Sequence, residues 1–160
     1  MITDDIAEFA GFSGPLMGLD LGTKTIGVAV SDGLRLTSTG LETLKRRKLT
    51  TDAAHLAGLI AGRGITGLVL GLPRNMDGSE GPRCQSTRAF ARNFRQFHEI
   101  PIAFWDERLS TVAAERALLE ADSSRKRRAE VIDKLAAAYI LQGALDRLAQ
   151  IRRNGTDHDQ

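Results

Sequence analysis

One stretch of the chain decides its fold. Residues 18–31 read Gly18-Leu19-Asp20-Leu21-Gly22-Thr23-Lys24-Thr25-Ile26-Gly27-Val28-Ala29-Val30-Ser31. Two apolar runs joined by a Gly-Thr-Lys turn predict a β-hairpin, and the first strand carries a carboxylate, Asp20. A charge placed among Leu and Val is costly unless a partner compensates it. The partner is either a cation, which makes Asp20 a metal ligand, or the turn amides at Thr23 and Thr25, which make it structural.

The composition is that of an ordinary globular domain. The chain has 160 residues, of which 42% are hydrophobic and 26% are charged, enough for a single domain with its own core. No apolar run approaches the ~20 residues that span a bilayer, and the first residues do not follow a signal-peptide pattern. The single cysteine, Cys84, excludes an internal disulfide and suits a reducing compartment. We therefore expect a cytoplasmic protein that does not bind membranes and is a monomer or a weak homodimer.

The positive charges are clustered, although the net charge is only +2. Lys45-Arg46-Arg47-Lys48 and Arg125-Lys126-Arg127-Arg128 form two basic runs. Either run alone is typical of a solvated face. Two such runs on one small domain favour a polyanionic partner such as nucleic acid, bound through its phosphates.

Hydrophobic periodicity predicts five strands and four helices. The strands are expected at 16–21, 26–30, within 34–44, at 66–72 and at 102–105, and the helices at 52–63, 83–97, 110–120 and 131–148. In the second of these helices, at 83–97, Phe90, Phe94 and Phe97 are expected to face the core. Early hairpins followed by alternating strands and helices predict an α/β fold, with a mixed sheet covered by helices on its faces. Residues 1–15 and 151–160 are expected to be a flexible arm and a flexible tail.

Two carboxylates end the last predicted strand. Asp106 and Glu107 lie at its carboxyl end, where open α/β sheets place their ligand sites. Because Arg108 follows at once, the two acids could instead form a local ion pair that closes the strand. Strand alternation sends Asp106 and Glu107 to opposite faces, so the sequence leaves open which of them enters a site.

A third carboxylate, Asp133, begins an apolar stripe on the last helix. The stripe continues through Ala136, Ala137, Ile140 and Ala144, which share one helical face with it. Asp133 could simply complement the helix dipole at the first turn. Together with Asp20 and Glu107, however, it makes three acids at the edges of three apolar elements. Such an oxygen-only set suits Mg²⁺ or Mn²⁺.

At these residues the chain resembles the YqgF/RuvX family of RNase H-like proteins. The matching segments are residues 18–24 with 26–29, Gly71-Leu72-Pro73-Arg74-Asn75-Met76-Asp77-Gly78, Asp106-Glu107-Arg108-Leu109-Ser110-Thr111, and Ile132-Asp133 leading into Leu135-Ala136-Ala137. The resemblance implies an RNase H-like fold over residues 16–150, a single nuclease domain whose first three strands are antiparallel and the rest parallel. It also implies a catalytic, metal-binding triad of Asp20, Glu107 and Asp133.

The resemblance further implies a metal-dependent endonuclease that cleaves structured nucleic acid. Processing of the 5′ end of pre-16S rRNA in ribosome biogenesis is the first expectation, and Holliday junction resolution in DNA recombination and repair is the alternative. The expected nucleic-acid contacts are Lys24, Arg74, Asn75, Arg108, Arg125, Lys126, Arg127 and Arg128. Two other classes stay open: a non-catalytic RNA-binding assembly factor, and an ATP-binding phosphotransferase-like domain, because residues 20–23 also resemble the phosphate-contacting hairpin of sugar kinases.

Overall fold

The computed structural model of the protein describes residues 1–109 and 125–158. Its strands are β1 (Ile2–Thr3), β2 (Leu16–Leu21), β3 (Thr25–Ser31), β4 (Ser38–Lys45), β5 (Gly67–Leu72) and β6 (Ile102–Asp106). Its α-helices are α1 (Leu49–Arg63), α2 (Pro82–Phe97) and α3 (Arg125–His158). The helix predicted at 110–120 lies outside the described residues. Within the described ranges no helix has the length and apolar character needed to span a membrane.

The strands form one mixed sheet in the order β1-β6-β5-β2-β3-β4 across the described part of the chain. β2, β3 and β4 run antiparallel, as consecutive hairpin strands do. β5 pairs parallel with β2, and β6 pairs parallel with β5. The predicted α/β architecture, with three antiparallel strands followed by parallel ones, is therefore confirmed.

Helices cover both faces of the sheet, which is why β2 and β5 are buried along their whole length. On one face α1 and α2 pack through Leu56, Phe90 and Phe94. On the other face α3 packs through the predicted stripe, in which Ala136, Ala137, Ile140 and Ala144 are all fully or almost fully buried.

Glycines in the sheet let α3 lie very close to it. A Cβ at Gly18 of β2 would stand 2.8 Å from Leu141 Cβ, and one at Gly27 of β3 would overlap the main chain of Asp133. Gly71 of β5 faces Ile140 in the same way. Opposite residues 133–141 of α3 the sheet face is thus formed by glycine backbone, and the helix backbone approaches it where Asp133 lies.

The first 15 residues are ordered, so the expectation of a flexible arm is wrong. β1 adds a sixth strand beside β6, with Ile2 opposite Ile102. A 3-10 helix follows at Ile6–Gly11, and its residue Phe9 is completely buried in the core on the α3 side. A two-residue strand and a six-residue 3-10 helix are too short to produce a hydrophobic period, so the sequence pattern did not reveal them.

Two smaller expectations also differ from the structure. α3 continues to His158, so residues 151–158 belong to this helix, where a flexible tail was expected. Phe97 is 51% exposed, whereas Phe90 and Phe94 are buried as expected. Phe97 is the last residue of α2, and the apolar stripe of that helix ends one turn earlier.

Candidate nuclease site

Asp20 lies inside β2 and is 95% buried, since its exposed fraction is 5%. Its neighbours Leu19 and Leu21 belong to the core on the α1 and α2 side, so alternation points Asp20 toward α3. Directly across the hairpin from it stands Gly27. The carboxylate therefore enters the space between the sheet and α3.

Asp133 approaches from α3 on the β3 side of Asp20. Its main chain lies against Gly27, the residue that pairs with Asp20. Its carboxylate Oδ2 accepts a 2.6 Å hydrogen bond from the Thr25 hydroxyl at the start of β3. Thr25 fixes the direction of the Asp133 side chain, a role that the sequence pattern did not reveal because the two residues are remote in the chain.

Glu107 approaches from the opposite side of Asp20. It begins a short 3-10 helix (Glu107–Leu109) immediately after β6, and its Oε1 stands 2.6 Å from where a Cβ of Gly71 would be. Gly71 follows Leu70, the parallel partner of Leu19, and it therefore lies beside Asp20 one strand spacing away, about 4.8 Å. The Glu107 carboxylate occupies this space because the glycine has no side chain.

Asp106 and Glu107 separate as strand alternation requires. Asp106 turns to Arg108, which donates to it from Nη2 at 2.7 Å and from Nε at 3.1 Å. These hydrogen bonds hold the pKa of Asp106 below its usual range. Of the two acids, Glu107 is thus the one that lies on the face of Asp20 and Asp133.

The three carboxylates lie on the same face and at the same edge of the sheet, but they are not arranged around one common cation position. Among the residues that the structure describes, no group of three His, Cys, Asp or Glu side chains is placed to hold a metal ion together. The donor chemistry nevertheless fits a hard divalent cation, since all three groups are carboxylates.

An ion-pair network lies next to these acids and includes two of the arginines predicted to bind nucleic acid. Arg108 holds Asp106, and Arg74 reaches Glu80 at 3.6 Å and Asp106 at 4.0 Å. Arg88, which the sequence reading did not select, binds Glu80 through Nε at 2.7 Å and lowers its pKa. Arg74 and Arg108 are thus engaged with protein carboxylates in this structure.

The loop after β5, which carries the predicted nucleic-acid contact Asn75, is held by hydrogen bonds between its own side chains. Asn75 Nδ2 donates to Ser79 Oγ at 3.0 Å, and Asp77 Oδ1 accepts from the Ser79 hydroxyl at 2.6 Å. The hydrogen bonds from Ser79 lower the pKa of Asp77. Arg108 Nη1 ties the loop to the strand end through the carbonyl of Met76, at 3.3 Å. The loop thus reaches the same edge as the acids.

A basic groove flanks the hairpin turn on its other side. The exposed Lys24 stands in the turn, and Arg46 is anchored there by a 2.7 Å hydrogen bond from its Nη1 to the Gly22 carbonyl. Arg46 and Arg83, at the start of α2, line a groove of about 310 Å³ together with the turn. The first basic run of the sequence indicated Arg46, whereas Arg83 carried no distinguishing signal. The side chains of Arg125, Lys126, Arg127 and Arg128 lie outside the described part of the structure.

Comparisons with known proteins show the family of the chain. The sequence profile of the RuvX family, described as Holliday junction resolvase, matches residues 14–147. A protein of Cereibacter sphaeroides named "Putative pre-16S rRNA nuclease" is 67% identical over 156 residues, covering 96% of this chain and 98% of its own. A protein of Roseobacter denitrificans with the same name is 69% identical over 157 residues, covering 95% and 96%.

Solved structures show the same fold at low sequence identity. The Thermus thermophilus RuvC complex with a Holliday junction substrate superposes with a TM-score of 0.51 at 12% identity, covering 82% of this chain and 93% of that one. The yeast mitochondrial Holliday junction resolvase Ydc2 superposes with a TM-score of 0.52 at 11% identity, covering 97% and 90%. By its sequence and by its RNase H-like fold, the chain belongs to the RuvX family.

Proposed function

We propose that this protein is a metal-dependent endonuclease that hydrolyses phosphodiester bonds in structured nucleic acid. One observation carries the proposal: Asp20 is buried between Gly71, which Glu107 covers, and Gly27, which the main chain of Asp133 covers. Three acids from β2, the end of β6 and α3 thus approach one edge of the sheet. A purely structural role would not require carboxylates from three separate elements to approach each other, because like charges repel.

Asp20, Glu107 and Asp133 would hold the cofactor, Mg²⁺ or Mn²⁺. When bound, such an ion supplies positive charge to the scissile phosphate and lowers the pKa of water for attack. The protein's contribution is to position the ligands. Burial keeps Asp20 in place, Thr25 orients Asp133 by its hydroxyl, and the turn after β6 directs Glu107 back over Gly71.

The surrounding cations suit the substrate backbone. Lys24, Arg46 and Arg83 line or border the groove beside the hairpin turn, where a phosphate of the substrate backbone could lie. Arg74 and Arg108 would exchange their carboxylate partners for phosphates when substrate binds, since both arginine side chains are partly exposed. The basic run Arg125–Arg128 would extend this surface at the start of α3.

We propose the 5′ end of pre-16S rRNA as the substrate and ribosome biogenesis in the cytoplasm as the setting. The relatives at 67% and 69% identity, which bear the name of pre-16S rRNA nucleases over nearly the whole chain, support this choice. The description of the matching family supports Holliday junction resolution as the second candidate. We further propose that the protein acts as a monomer or a weak homodimer.

The test compares two substrates and two matched variants. The full chain is incubated with a 16S rRNA precursor carrying its 5′ extension, and separately with a four-way DNA junction, in Mg²⁺, Mn²⁺ or EDTA. Asp20→Asn removes one candidate ligand, and Asp52→Asn removes another buried carboxylate, which caps the start of α1 by accepting from the Arg47 amide. We expect cleavage of the RNA with metal, none with EDTA, and loss of cleavage in Asp20→Asn but not in Asp52→Asn.

Other outcomes distinguish the remaining functions. Cleavage of the junction alone would make DNA the substrate. RNA binding without cleavage in any metal, equal for wild type and Asp20→Asn, would indicate a non-catalytic assembly factor. Tight ATP binding that Asp20→Asn abolishes, again without cleavage, would favour the phosphotransferase-like class.

A further inference from the structure

A second pocket lies far from the acids, at the other end of the sheet. Residues 10–14, just before β2, and residues 33–35, just after β3, surround a cavity of about 420 Å³. Leu148 and Arg152 of α3 close it. Arg152 stands about 28 Å along α3 from Asp133, given a rise of about 1.5 Å per residue. The pocket therefore belongs to a different edge of the molecule from the candidate nuclease site.

Arg35 is the unusual residue of this pocket. It is 94% buried, with an exposed fraction of 6%, and its backbone φ of 59° is left-handed, which disfavours a side chain as large as arginine. Nε donates to the Gly14 carbonyl and Nη1 to the Phe9 carbonyl, each at 2.7 Å. The guanidinium also lies 4.8 Å from the centre of the Phe12 ring. These contacts fasten the first 15 residues to the sheet.

The contacts of Arg35 do not balance its charge. Its buried Nη2 has no hydrogen-bond partner, and no salt bridge joins Arg35 to a carboxylate within the described ranges. A buried cation that meets only carbonyls is unfavourable unless an anion completes its surroundings. Burial, and then the nearby charge of Arg152, lower the pKa of Arg35 accordingly.

The other walls of the pocket suit an organic anion. The described lining contains two arginines, Arg35 and Arg152, and no Asp or Glu. Phe12, Leu34 and Leu148 add apolar surface, and the small residues Gly11, Ser13 and Gly14 bring backbone close to the cavity. A volume of about 420 Å³ is in the range of small-molecule sites.

We propose that this pocket binds the phosphate of a nucleotide, with Arg35 and Arg152 facing the phosphate and the apolar wall contacting the nucleoside. The phosphate could belong to a free nucleoside monophosphate or to the 5′-phosphorylated end of an RNA chain, which share this chemistry. Nothing in the proposal depends on the nuclease activity, because the pocket uses none of the acids or arginines at the other edge.

The test uses titration calorimetry of the full chain in EDTA, which excludes binding through a metal. The probes are inorganic phosphate, AMP, adenosine, and a short RNA with or without a 5′-phosphate. We expect saturable binding of AMP at about 1 mM or tighter and no binding of adenosine. Binding of AMP but not of phosphorylated RNA identifies a free nucleotide as the source, and binding of the phosphorylated RNA but not its unphosphorylated form identifies an RNA end.

Two adjacent arginines provide a matched pair of variants. Arg152→Glu reverses a charge that lines the pocket, whereas Arg153→Glu makes the same change on an exposed neighbour outside the lining. We expect the first to weaken AMP binding about tenfold or more, as loss of a charged contact does, and the second to leave the affinity unchanged. Equal effects of the two variants, binding of adenosine as tight as that of AMP, or no binding of any phosphate would overturn the proposal.

A measurement on the wild-type protein tests the proposal without depending on the folding of any variant. Addition of AMP to the isotope-labelled protein should shift the amide resonances of Gly11, Ser13 and Gly14, and leave those of Gly22 and Gly71 in place. Shifts confined to Gly22 and Gly71 would locate the ligand at the acidic edge instead and would refute a site at Arg35.

Discussion

Thr25 and Asp133 are 108 positions apart in the chain, and a 2.6 Å hydrogen bond joins the Thr25 hydroxyl to the Asp133 carboxylate. The bond connects the hairpin that carries Asp20 to the helix that carries Asp133. Because of this bond, the position of the candidate metal ligand Asp133 depends on the hairpin that carries a second candidate ligand, Asp20.

Thr25→Val removes this hydroxyl and keeps the shape of the side chain. A hydrogen bond to a charged group contributes about 1.5–3 kcal/mol, so we expect cleavage to slow about tenfold or more at limiting metal. Thr39→Val, at an exposed position of β4, is the control and should cleave like wild type. Rates measured against Mg²⁺ concentration check the prediction, and equal rates for the two variants would show that Thr25 does not orient Asp133.

Gly27→Ala places a methyl group where the main chain of Asp133 lies. Because backbone cannot move aside as a flexible side chain does, we expect a loss of about 1–3 kcal/mol in unfolding free energy together with loss of cleavage. Gly58→Ala is the matched control, since an added Cβ there meets nothing within 4 Å and lies on the exposed side of α1. Urea unfolding should show a gain of about 0.5–1 kcal/mol for that helix variant. A Gly27→Ala protein as stable as wild type would contradict the close approach of α3.

Arg108→Gln should change the pH dependence of stability. Arg108 lowers the pKa of Asp106 in the folded protein, so the ion pair stabilises the fold above the unfolded carboxyl pKa of about 3.9. That contribution is lost as the pH falls through the lowered folded value, when Asp106 is protonated. Unfolding free energies should therefore differ between wild type and variant at pH 6 and converge toward pH 2–3.

The control for this pH effect is Arg95→Gln. Its partner Glu99 is 89% exposed and stands at 3.6 Å, so the pair should contribute little at any pH. A wild-type and Arg108→Gln difference that is constant over the whole pH range would show that the ion pair with Asp106 is not its cause.

Arg83→Gln tests the groove beside the hairpin as a path for the nucleic-acid backbone. Loss of one phosphate contact should weaken RNA binding and reduce the slope of log affinity against log salt by about 0.7–0.9. Arg92→Gln removes the same charge from another exposed position of α2, outside the groove, and should leave the slope unchanged. Both slopes are measured by filter binding at several salt concentrations. Each arginine variant is combined with Asp20→Asn so that the RNA is bound without being cleaved. Identical slopes for the two variants would place the substrate elsewhere.

The chain's local patterns were enough to predict most of the sheet and the acids that it carries. Alternation and apolar runs depend on near neighbours, so β2, β3, β5 and β6 could be recognised without knowing their partners. The stripe behind Asp133 likewise specified which face of α3 is buried. Asp20 could be recognised from the sequence because a charged side chain is rare inside an apolar, buried strand.

The tertiary structure decided what depends on residues distant in the chain. Ile2 is part of a strand because it pairs with Ile102 of β6. Phe9 belongs to the core because α3 covers it. Which of the two acids at the end of β6 lies beside Asp20 depends on Gly71, whose missing side chain leaves space for Glu107 on that face. Arg74 and Arg108, predicted as substrate contacts, turned out to be bound by protein carboxylates. These outcomes follow from strand register and helix packing, which bring together groups that no local periodicity relates.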